Sequence, residues 1–600
     1  MKSPTQIFRM LYGKIRREWK IAFLACFFTG LLVHMPVLLS DIPNHDGLDS
    51  MYFDQNMITS GRWFLSVACG FSSYYTIPWV IGILGLLFLS LAAAAMCELL
   101  EIRKTWAVVV CSGLLASFPA LTSTFAYVYT LDGYMLALLL AVLAVLFTKR
   151  FRLGFLPGAF CLAFSMGIYQ GYLPFVMILS VYAVLMLLGG EEREYSPSEA
   201  GQEGNPLSRA GKESGRPSEA GQEGNPLSRA GKESGRPSEA GQEGNPLSGA
   251  GKESGRPSGA GQEGNPLSRT GKKGRENIGK ICGILHYLYM GVLGAALYYV
   301  ILQVLLKLQG KVLDTYQGIS DMASGAASGK GIFATVIDMY LDFFRFSLKG
   351  NVLFQNIYAL TAWVLLGFAA LAAGILWIRR RKYWKNPAIL VIMVAAVLAL
   401  PAVTNIILLI SPEVNYHLLM RYQWVLYAVG GVALAAGWED GTGKGSWMEW
   451  AALLSAAVLV FCYCITDNIA YSNLHKRYEK TYAYCIRLLD RIEQTEGYYH
   501  GIPIAMVGVV GDEQYPVTDI TLPVTGGMIG MNGDSLLYRG DNYRLFIRHY
   551  LGATLNILPA DAMAQMYYSE EYTAMDSFPG KDSIRIIDGI MYIKTENVVR

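Results

Sequence analysis

Residues 79–100 read WVIGILGLLFLSLAAAAMCELL, a run in which Glu98 is the only charged side chain. A helix needs about 20 mostly apolar residues to cross the hydrocarbon core of a bilayer. This stretch therefore predicts a membrane-spanning helix. It lacks the alternation of polar and apolar residues that marks the strands of an outer-membrane barrel, so that class of protein is excluded.

The composition of the whole chain agrees with this first stretch. Of its 600 residues, 53% are hydrophobic and only 16% are charged, whereas soluble domains carry about 25% charged residues. A soluble multidomain enzyme is excluded. Comparable apolar runs recur along the chain and predict eleven spans, at about 21–40, 79–100, 106–121, 131–148, 153–168, 172–189, 281–306, 354–378, 387–410, 422–437 and 448–466. The predicted fold class is mainly α, a polytopic membrane helix bundle of about 11 spans.

The placement of basic residues predicts the topology. Basic clusters occur in the connections that share a side with the N-terminus, and include Arg103 with Lys104, Lys149 with Arg150, and the run 379–382. The opposite connections are poor in Lys and Arg, as the positive-inside rule requires of the external side. We therefore expect a cytoplasmic N-terminus and, after an odd number of spans, an extracytoplasmic C-terminal region. The net charge of +3 gives no indication of a nucleic-acid partner.

Four regions are predicted: a membrane half at 1–190, an insert at 191–280, a second membrane half at 281–466, and a domain at 467–600. The insert repeats the unit SEAGQEGNPLSRAGKESGRP from Ser198 with a period of twenty residues. Each unit has a single Leu as its only sizeable apolar residue, so stacked units would bury almost nothing. We interpret the insert as a disordered cytoplasmic linker without a catalytic role.

The composition changes after residue 467. Residues 469–493 have helical periodicity, and short apolar runs at 504–510, 583–587 and 590–593 are typical of strands, with a further helix at 543–550. These patterns predict a small extracytoplasmic α/β domain.

The first predicted external loop, residues 41–62, reads DIPNHDGLDSMYFDQNMITSGR and contains four carboxylates. Asp46 and Asp49 are three residues apart and would share a face of a short helix, which residues 50–58 could continue. Such a pair could hold a divalent cation, Mg or Mn, through its oxygens. Alternatively, one carboxylate could act as a general base. A loop that is polar only because it faces solvent is an equal alternative.

The later external connections add further candidates. Asp132 stands at the mouth of the fourth span, where it could face a pocket or act as the helix N-cap. Tyr169 and Gln170 lie between two spans, a position where tyrosines usually form the interfacial belt. Arg421 follows Glu413 and His417 and could bind a lipid phosphate or extend harmlessly to the interface.

The external stretch 309–353 contains a predicted amphipathic helix. Its apolar face is formed by Phe333, Val336, Ile337, Tyr340 and Phe344. Such a helix could lie in the membrane interface or pack against the bundle. By the predicted topology, all the candidate groups lie on the external side. The sequence has no Walker motif for nucleotide hydrolysis.

Six short motifs resemble a known family. They are NHDGLD (44–49) followed by SGRW (60–63), FAYVYTLDGYMLALLLA (125–141), GIYQGYLP (167–174), DTYQGIS (314–320), MRYQW (420–424), and AYSN from Ala470. In this order they resemble the bacterial glucosyl transferases typified by the type II O-antigen glucosyltransferases of serotype-converting phages. The resemblance covers most of the chain outside the repeats.

The resemblance implies a GT-C type membrane glycosyltransferase of the bacterial plasma membrane. It would move a sugar, glucose, from a polyprenyl-phosphate donor to a cell-surface glycan or glycolipid. By analogy, Asp46 would be the catalytic base and Asp49 a second choice or a metal ligand. Arg62 or Arg421 would stabilise the leaving phosphate, Asp132 would line the site, and Tyr169 and Gln170 would hold the sugar. The alternatives are a transporter or flippase of lipid-linked sugars and a non-catalytic scaffold.

Overall fold

The computed structural model describes the residues in the ranges 3–44, 46–50, 54–70, 77–190, 266–314, 332–349, 352–383, 387–411, 414–437, 446–507 and 540–595, with the single positions 525, 528, 531 and 537. Residues 1–190 and 279–600 form one compact unit. Several predicted features lie outside the described residues. They are the insert up to residue 265, most of the DTYQGIS motif, His45 and Glu413.

The first half of the chain is almost entirely helical. Its helices are α1 (Pro4–Lys14), α2 (Arg17–Leu38), α3 (Gly47–Ser50), α4 (Leu65–Ala68), α5 (Pro78–Leu99), α6 (Thr105–Ser117), α7 (Pro119–Phe125), α8 (Leu131–Arg150), α9 (Phe155–Ile168) and α10 (Leu173–Gly189). Short 3₁₀ turns at Ile58–Ser60, Val128–Thr130 and Gln170–Tyr172 join them at one end of the bundle.

The second half continues the bundle and ends in a small mixed region. Its elements are α11 (Pro266–Gln309), α12 (Ile332–Lys349), α13 (Ile357–Arg380), α14 (Pro387–Thr404), α15 (Ile407–Ile410), a 3₁₀ segment Leu418–Trp424, α16 (Val425–Ala436), α17 (Trp447–Glu493), β1 (Pro503–Val507), α18 (Gly540–Phe546), a π-turn Ile547–Leu551, β2 (Asn556–Ile557), α19 (Ala560–Tyr567), α20 (Glu570–Thr573), β3 (Ile584–Ile587) and β4 (Ile590–Lys594).

The apolar helices suggest a membrane protein. Among the described residues, nine helices are long and apolar enough to cross a bilayer, or ten if α6 and α7, bent by 49°, form one span. The bend falls at Pro119, whose ring favours the first turn of a new helix and breaks the preceding one. The predicted fifth span is α9, a shorter apolar helix. Helix thus occupies all eleven predicted segments, and the count of eleven spans remains a prediction.

Small residues allow close packing at the centre of the bundle. Helix α5 packs between α2 and α8. A Cβ added to Gly82 of α5 would lie 1.6 Å from Leu38, and one added to Gly30 of α2 would lie 2.5 Å from Leu86. Helices in lipid associate largely through such close contacts, because the surrounding lipid is as apolar as the helix faces.

The boundary predicted near residue 467 falls inside a helix. Helix α17 runs without a break from Trp447 to Glu493, because neither proline nor glycine interrupts the sequence between these residues. Its 47 residues rise about 1.5 Å each and therefore reach well beyond a hydrocarbon core of about 30 Å. The predicted helix 469–493 is the extension of the last span.

The C-terminal strands form a four-stranded sheet in the order β2-β1-β4-β3. β1 pairs in parallel with β2 and β4, whereas β3 and β4 form an antiparallel hairpin. Ile504, Met506, Met591 and Ile593 are buried and pack in one cluster with Cys485 of α17. The predicted strands and the helix at 543–550 are confirmed where the chain is described, and residues 508–510 lie outside it.

The predicted amphipathic helix is α12. Thr335 and Met339 are buried, and the ring of Phe343 stacks on Trp424 at 4.7 Å. Phe333 and Phe344 of the predicted apolar face are exposed. One side of α12 therefore packs on the bundle, and another leaves apolar side chains uncovered by the described protein.

Candidate active site

A buried asparagine fixes the backbone around Asp46. Asn44 has no exposed surface, and its Oδ1 accepts hydrogen bonds from the backbone N–H of Asp46 at 3.1 Å and of Gly47 at 2.7 Å. An asparagine that bonds the backbone two residues ahead stabilises a tight turn. Asp46 is thereby held at the start of α3, with a half-buried side chain.

The helix that carries Asp49 is shorter than the sequence predicts. α3 ends at Ser50, and residues 54–57 are not helical, so the predicted helical continuation to residue 58 is wrong at those positions. Gln55 adopts a positive φ of 54°, which interrupts a helix. The backbone of Asp49 lies in α3, but its side chain is outside the described atoms.

Tyr127 lies within electrostatic reach of both Asp46 and Arg62. Burial raises the pKa of Tyr127 above its usual range, the Asp46 carboxylate raises it further, and Arg62 lowers it. Coulomb interactions weaken with distance and with water between the charges. The predicted base and the predicted phosphate-binding arginine therefore both act electrostatically on this one hydroxyl.

Two stacked tyrosines hold the Arg62 side chain. Its Nη1 donates a hydrogen bond to the Tyr134 hydroxyl at 3.1 Å, and its guanidinium lies 5.5 Å from the centre of the Tyr169 ring. The two rings stack with their centroids 4.6 Å apart. A cation over an aromatic face is stabilised by the ring quadrupole, so this pair fixes the guanidinium in position.

Gln170 holds the loop that presents Arg62. Its Nε2 donates to the carbonyl of Ser60 and to the hydroxyl of Tyr298, both at 3.0 Å, and that hydroxyl donates to the carbonyl of Gly61 at 3.1 Å. Gly61 has a φ of +77°, and a Cβ there would lie 2.5 Å from the Tyr298 oxygen. The loop therefore requires glycine at this position.

Three buried polar atoms in this region lack a hydrogen-bond partner within the part of the chain that the structure describes. They are Arg62 Nε, Trp63 Nε1 and the Tyr169 hydroxyl. Buried polar groups in proteins are almost always paired. Buried polar atoms of this kind can be paired by water or by a ligand.

Arg421, which is buried, forms an ion pair with Asp342 of α12, whose side chain is 30% exposed. Its Nη1 and Nη2 bond the two carboxylate oxygens at 2.7 and 3.0 Å, and the Arg421 side chain is only 7% exposed. Its Nε donates to the Tyr416 carbonyl at 3.3 Å. The guanidinium that we expected to bind a phosphate already has a bidentate carboxylate partner.

Tyr416 connects this ion pair with the Arg62 region. The Arg421 guanidinium lies 3.9 Å from the centre of the Tyr416 ring. Burial raises the pKa of Tyr169, and both Tyr134 and Tyr416 raise it further. Tyr416 thus contacts Arg421 directly and acts on Tyr169 electrostatically.

The Asp132 carboxylate lies beside Cys69. It is 1% exposed, and its Oδ1 accepts from the backbone N–H of Gly133 at 2.9 Å. Burial and the Asp132 carboxylate both raise the pKa of the Cys69 thiol, which places the carboxylate beside that cysteine. The N-cap position of α8 is Thr130, so the N-cap alternative for Asp132 is wrong, because the helix begins two residues earlier than that alternative requires.

The described side chains contain no group of three or more His, Cys, Asp or Glu that could hold a metal ion. The predicted pair of Asp46 and Asp49 is not tested by this, since the Asp49 side chain is not described. Asp54 is exposed and accepts from the backbone of Asn56 at 3.0 Å, an arrangement that only shapes the turn. A divalent cation therefore remains a prediction.

Residues 35–196 match the family model described as glucosyl transferase GtrII. These residues are therefore similar to the GtrII glucosyl transferases, and we refer to 35–196 as the GtrII segment. The resemblance inferred from the motifs is thereby confirmed, and the family implies glucosyltransferase activity. The match covers about a quarter of the chain. No curated protein and no solved structure matches the sequence.

The GtrII segment contains Asp46, Arg62, Tyr169 and Gln170, which the structure gathers around one end of the bundle. Arg421 and its neighbours come from outside the segment. Sequence reasoning missed Tyr127 and Tyr134, although both stand in the quoted motif FAYVYTLDGYM, where the tyrosine spacing was the available signal. It also missed Asp342, whose partner lies 79 residues away.

Proposed function

We propose that the protein transfers glucose from a polyprenyl-phosphate donor to a cell-surface glycan or glycolipid on the external face of the bacterial plasma membrane. The observation that carries this proposal is the buried Arg62 guanidinium, which Tyr134 and Tyr169 hold in the same loop and the same GtrII segment as Asp46. A carboxylate and a guanidinium in one loop supply the two charges that glycosyl transfer from a phosphate requires.

In the proposed reaction the acceptor hydroxyl attacks the anomeric carbon of glucose. A bond forms between the acceptor oxygen and that carbon as the bond from the carbon to the phosphate oxygen breaks. The hydroxyl proton passes to an oxygen of Asp46, which acts as general base. Polyprenyl phosphate leaves with the bonding electrons, and the configuration at the anomeric carbon is inverted.

We assign the developing phosphate charge to Arg62 in preference to Arg421. The Nε of Arg62 is buried and has no partner among the described residues, and buried donors aimed at developing charge contribute strongly to catalysis. Arg421 already has its two terminal nitrogens on Asp342. Its proposed role is to position the segment 418–424 and Tyr416 beside the site.

We assign the sugar contact to Tyr169 and a supporting role to Gln170. The Tyr169 hydroxyl is buried and unpartnered in the described structure, so it can bond a sugar hydroxyl. The Gln170 amide nitrogen is occupied by Ser60 and Tyr298. Gln170 therefore holds the Arg62 loop, and Asp132, beside Cys69, supports the same region from the start of α8.

The test is transfer by the purified protein with polyprenyl-phosphate glucose and a panel of lipid-linked glycan acceptors. Asp46→Asn removes the base while preserving size and the backbone turn, and should reduce the rate of transfer by a factor of about 10²–10⁴. Asp54→Asn, in the same loop but exposed, is the matched control and should retain wild-type transfer. Normal turnover by Asp46→Asn would remove it as the base.

Two further arms separate the remaining alternatives. Chelator should abolish transfer if a cation held by Asp46 and Asp49 is needed, and leave it unchanged otherwise. If the protein is instead a flippase, it should move fluorescent polyprenyl-phosphate sugar across vesicle membranes without forming a glycosylated product.

A further inference from the structure

A large apolar cavity lies at the opposite end of the bundle from Arg62. It is bounded by α10, α13, α14 and α16 and by the connection 100–104, and has a volume of about 890 Å³. Ligand pockets in proteins measure about 300–1,000 Å³. Small residues of α13 (Ala370, Ala373 and Gly374) form one wall, and Leu398 lies opposite on α14.

The open end of this cavity is basic. Arg103, Lys104 and Arg381 line it, against a single carboxylate, Glu101. Arg103 is 3.1 Å from Glu98, and Lys104 is 3.0 Å from Glu449. Each cation keeps donors beyond those used in its ion pair, because a guanidinium has five N–H groups and an ammonium three. The mouth thus combines cations with an apolar interior.

The depth of the cavity corresponds to one leaflet. Along α16 and its end the lining runs from Gly437 to Tyr427, and along α14 from Leu390 to Leu400. Ten helical residues rise about 15 Å, which is half of a hydrocarbon core of about 30 Å. The basic residues line one end of the cavity, and Tyr427 and Leu400 line the other.

We propose that this cavity binds an anionic phospholipid from the leaflet at the basic end of the bundle. The phosphate would lie among Arg103, Lys104 and Arg381, since guanidinium groups match phosphate geometry and basic residues at a membrane surface attract anionic lipids. The acyl chains would lie along the small-residue wall of α13. This site is separate from the proposed active site, and it does not depend on the transferase proposal.

Two glycines of α13 give a matched pair for the test. A Cβ added at Gly374 meets no atom within 4 Å, and the same holds for Gly367, two turns away. Of these two glycines, Gly374 lines the cavity and Gly367 does not. A phenylalanine at 374 would extend into the cavity from a Cβ that meets no other atom, and either substitution removes a residue that disfavours helix.

The experiment measures lipid bound to the purified full-length protein by native mass spectrometry, with phosphatidylglycerol, phosphatidylcholine and polyprenyl phosphate as separate probes. We expect phosphatidylglycerol to bind at least tenfold more tightly than phosphatidylcholine. Gly374→Phe should abolish this binding, and Gly367→Phe should not. Arg103→Gln with Arg381→Gln should remove the preference for anionic lipid, whereas Arg379→Gln, an exposed arginine at the same helix end, should preserve it.

Equal binding of the two phospholipids, or equal binding to both glycine variants, would overturn the proposal. Tighter binding of polyprenyl phosphate at the Gly374 position would also overturn it, since the occupant would then belong to the donor class. If Gly374→Phe does not yield folded protein by size-exclusion chromatography, Gly374→Leu with Gly367→Leu replaces the pair. None of these readouts depends on sugar transfer.

Discussion

The Arg62 side chain combines two contacts that only a guanidinium can make together. Nη1 bonds Tyr134 while the planar group faces Tyr169, and Nε has no partner among the residues that the structure describes. Lysine keeps the charge but has neither the planar shape nor the additional donors. We therefore expect Arg62→Lys to lower kcat by a factor of about 10²–10³, the usual effect of losing one donor to a developing charge.

The control for this prediction is Arg345→Lys, at an exposed position of α12, which should leave both kcat and KM unchanged. A rise in KM alone for Arg62→Lys would mean that Arg62 contributes equally to binding the donor and the transition state. That result would contradict the role assigned to it in the transition state.

Gly61 allows a second residue-scale prediction with a close control. An alanine at position 61 would have to adopt a positive φ, and its Cβ would lie 2.5 Å from the Tyr298 hydroxyl. An alanine at position 310 would also have to adopt a positive φ, of 60°, but its Cβ would meet no atom within 4 Å. The backbone cost of about 1–2 kcal/mol is common to both. We expect Gly61→Ala to lose transfer activity by displacing Arg62, and Gly310→Ala to lose only stability, as measured by thermal unfolding and by the transfer assay on the same samples.

At the scale of elements, the ion pair of Arg421 and Asp342 attaches α12 to the segment 418–424. Asn405 supports it by donating to the same carboxylate at 3.1 Å. Removing one partner of a buried pair leaves the other charge uncompensated. We expect Asp342→Asn and Arg421→Gln each to lower the melting temperature in detergent, and the double variant to lower it by less than the sum.

Additive losses in that double-mutant cycle would show that the pair does not couple the two elements. The activity of Asp342→Asn distinguishes the two roles of Arg421. If Arg421 only positions Tyr416 and its segment, releasing it from Asp342 should reduce transfer. If it binds a phosphate of the donor, releasing it should lower KM for the donor.

The sequence predicted elements better than it predicted contacts. Apolar runs located the helices because each span needs a fixed length of apolar sequence, and the strands near β3 and β4 followed from their β-branched residues. Contacts between distant segments could not be predicted. Two examples are the ion pair of Arg421 with Asp342 and the hydrogen bond of 2.6 Å between His34 and Tyr471. Asp46 and Arg62 could be predicted as one site because a single loop carries both.

For the whole molecule, the two ends of the bundle have opposite chemistry. One end carries Asp46, Arg62, Tyr169 and the segment 418–424. The other end carries the basic residues Arg103, Lys104 and Arg381. Each span joins one end to the other, so the side of the membrane that one loop faces determines the side of all the others. The proposed use of an externally presented, lipid-linked donor therefore depends on the orientation of the bundle.

Orientation is testable with single cysteines. All nine native cysteines are free thiols, and Cys282 is the exposed one, so Cys282→Ser provides a background with little labelling. In that background we expect Asp54→Cys to react with a membrane-impermeant maleimide on intact cells, and Arg379→Cys to react only after the membrane is permeabilised. The positive-inside rule requires this result, because Arg379 belongs to the most basic connection in the sequence. The reverse pattern would place Asp46 on the cytoplasmic side, where soluble nucleotide sugars are available, and the proposal of a polyprenyl-phosphate donor would then lose its physical basis.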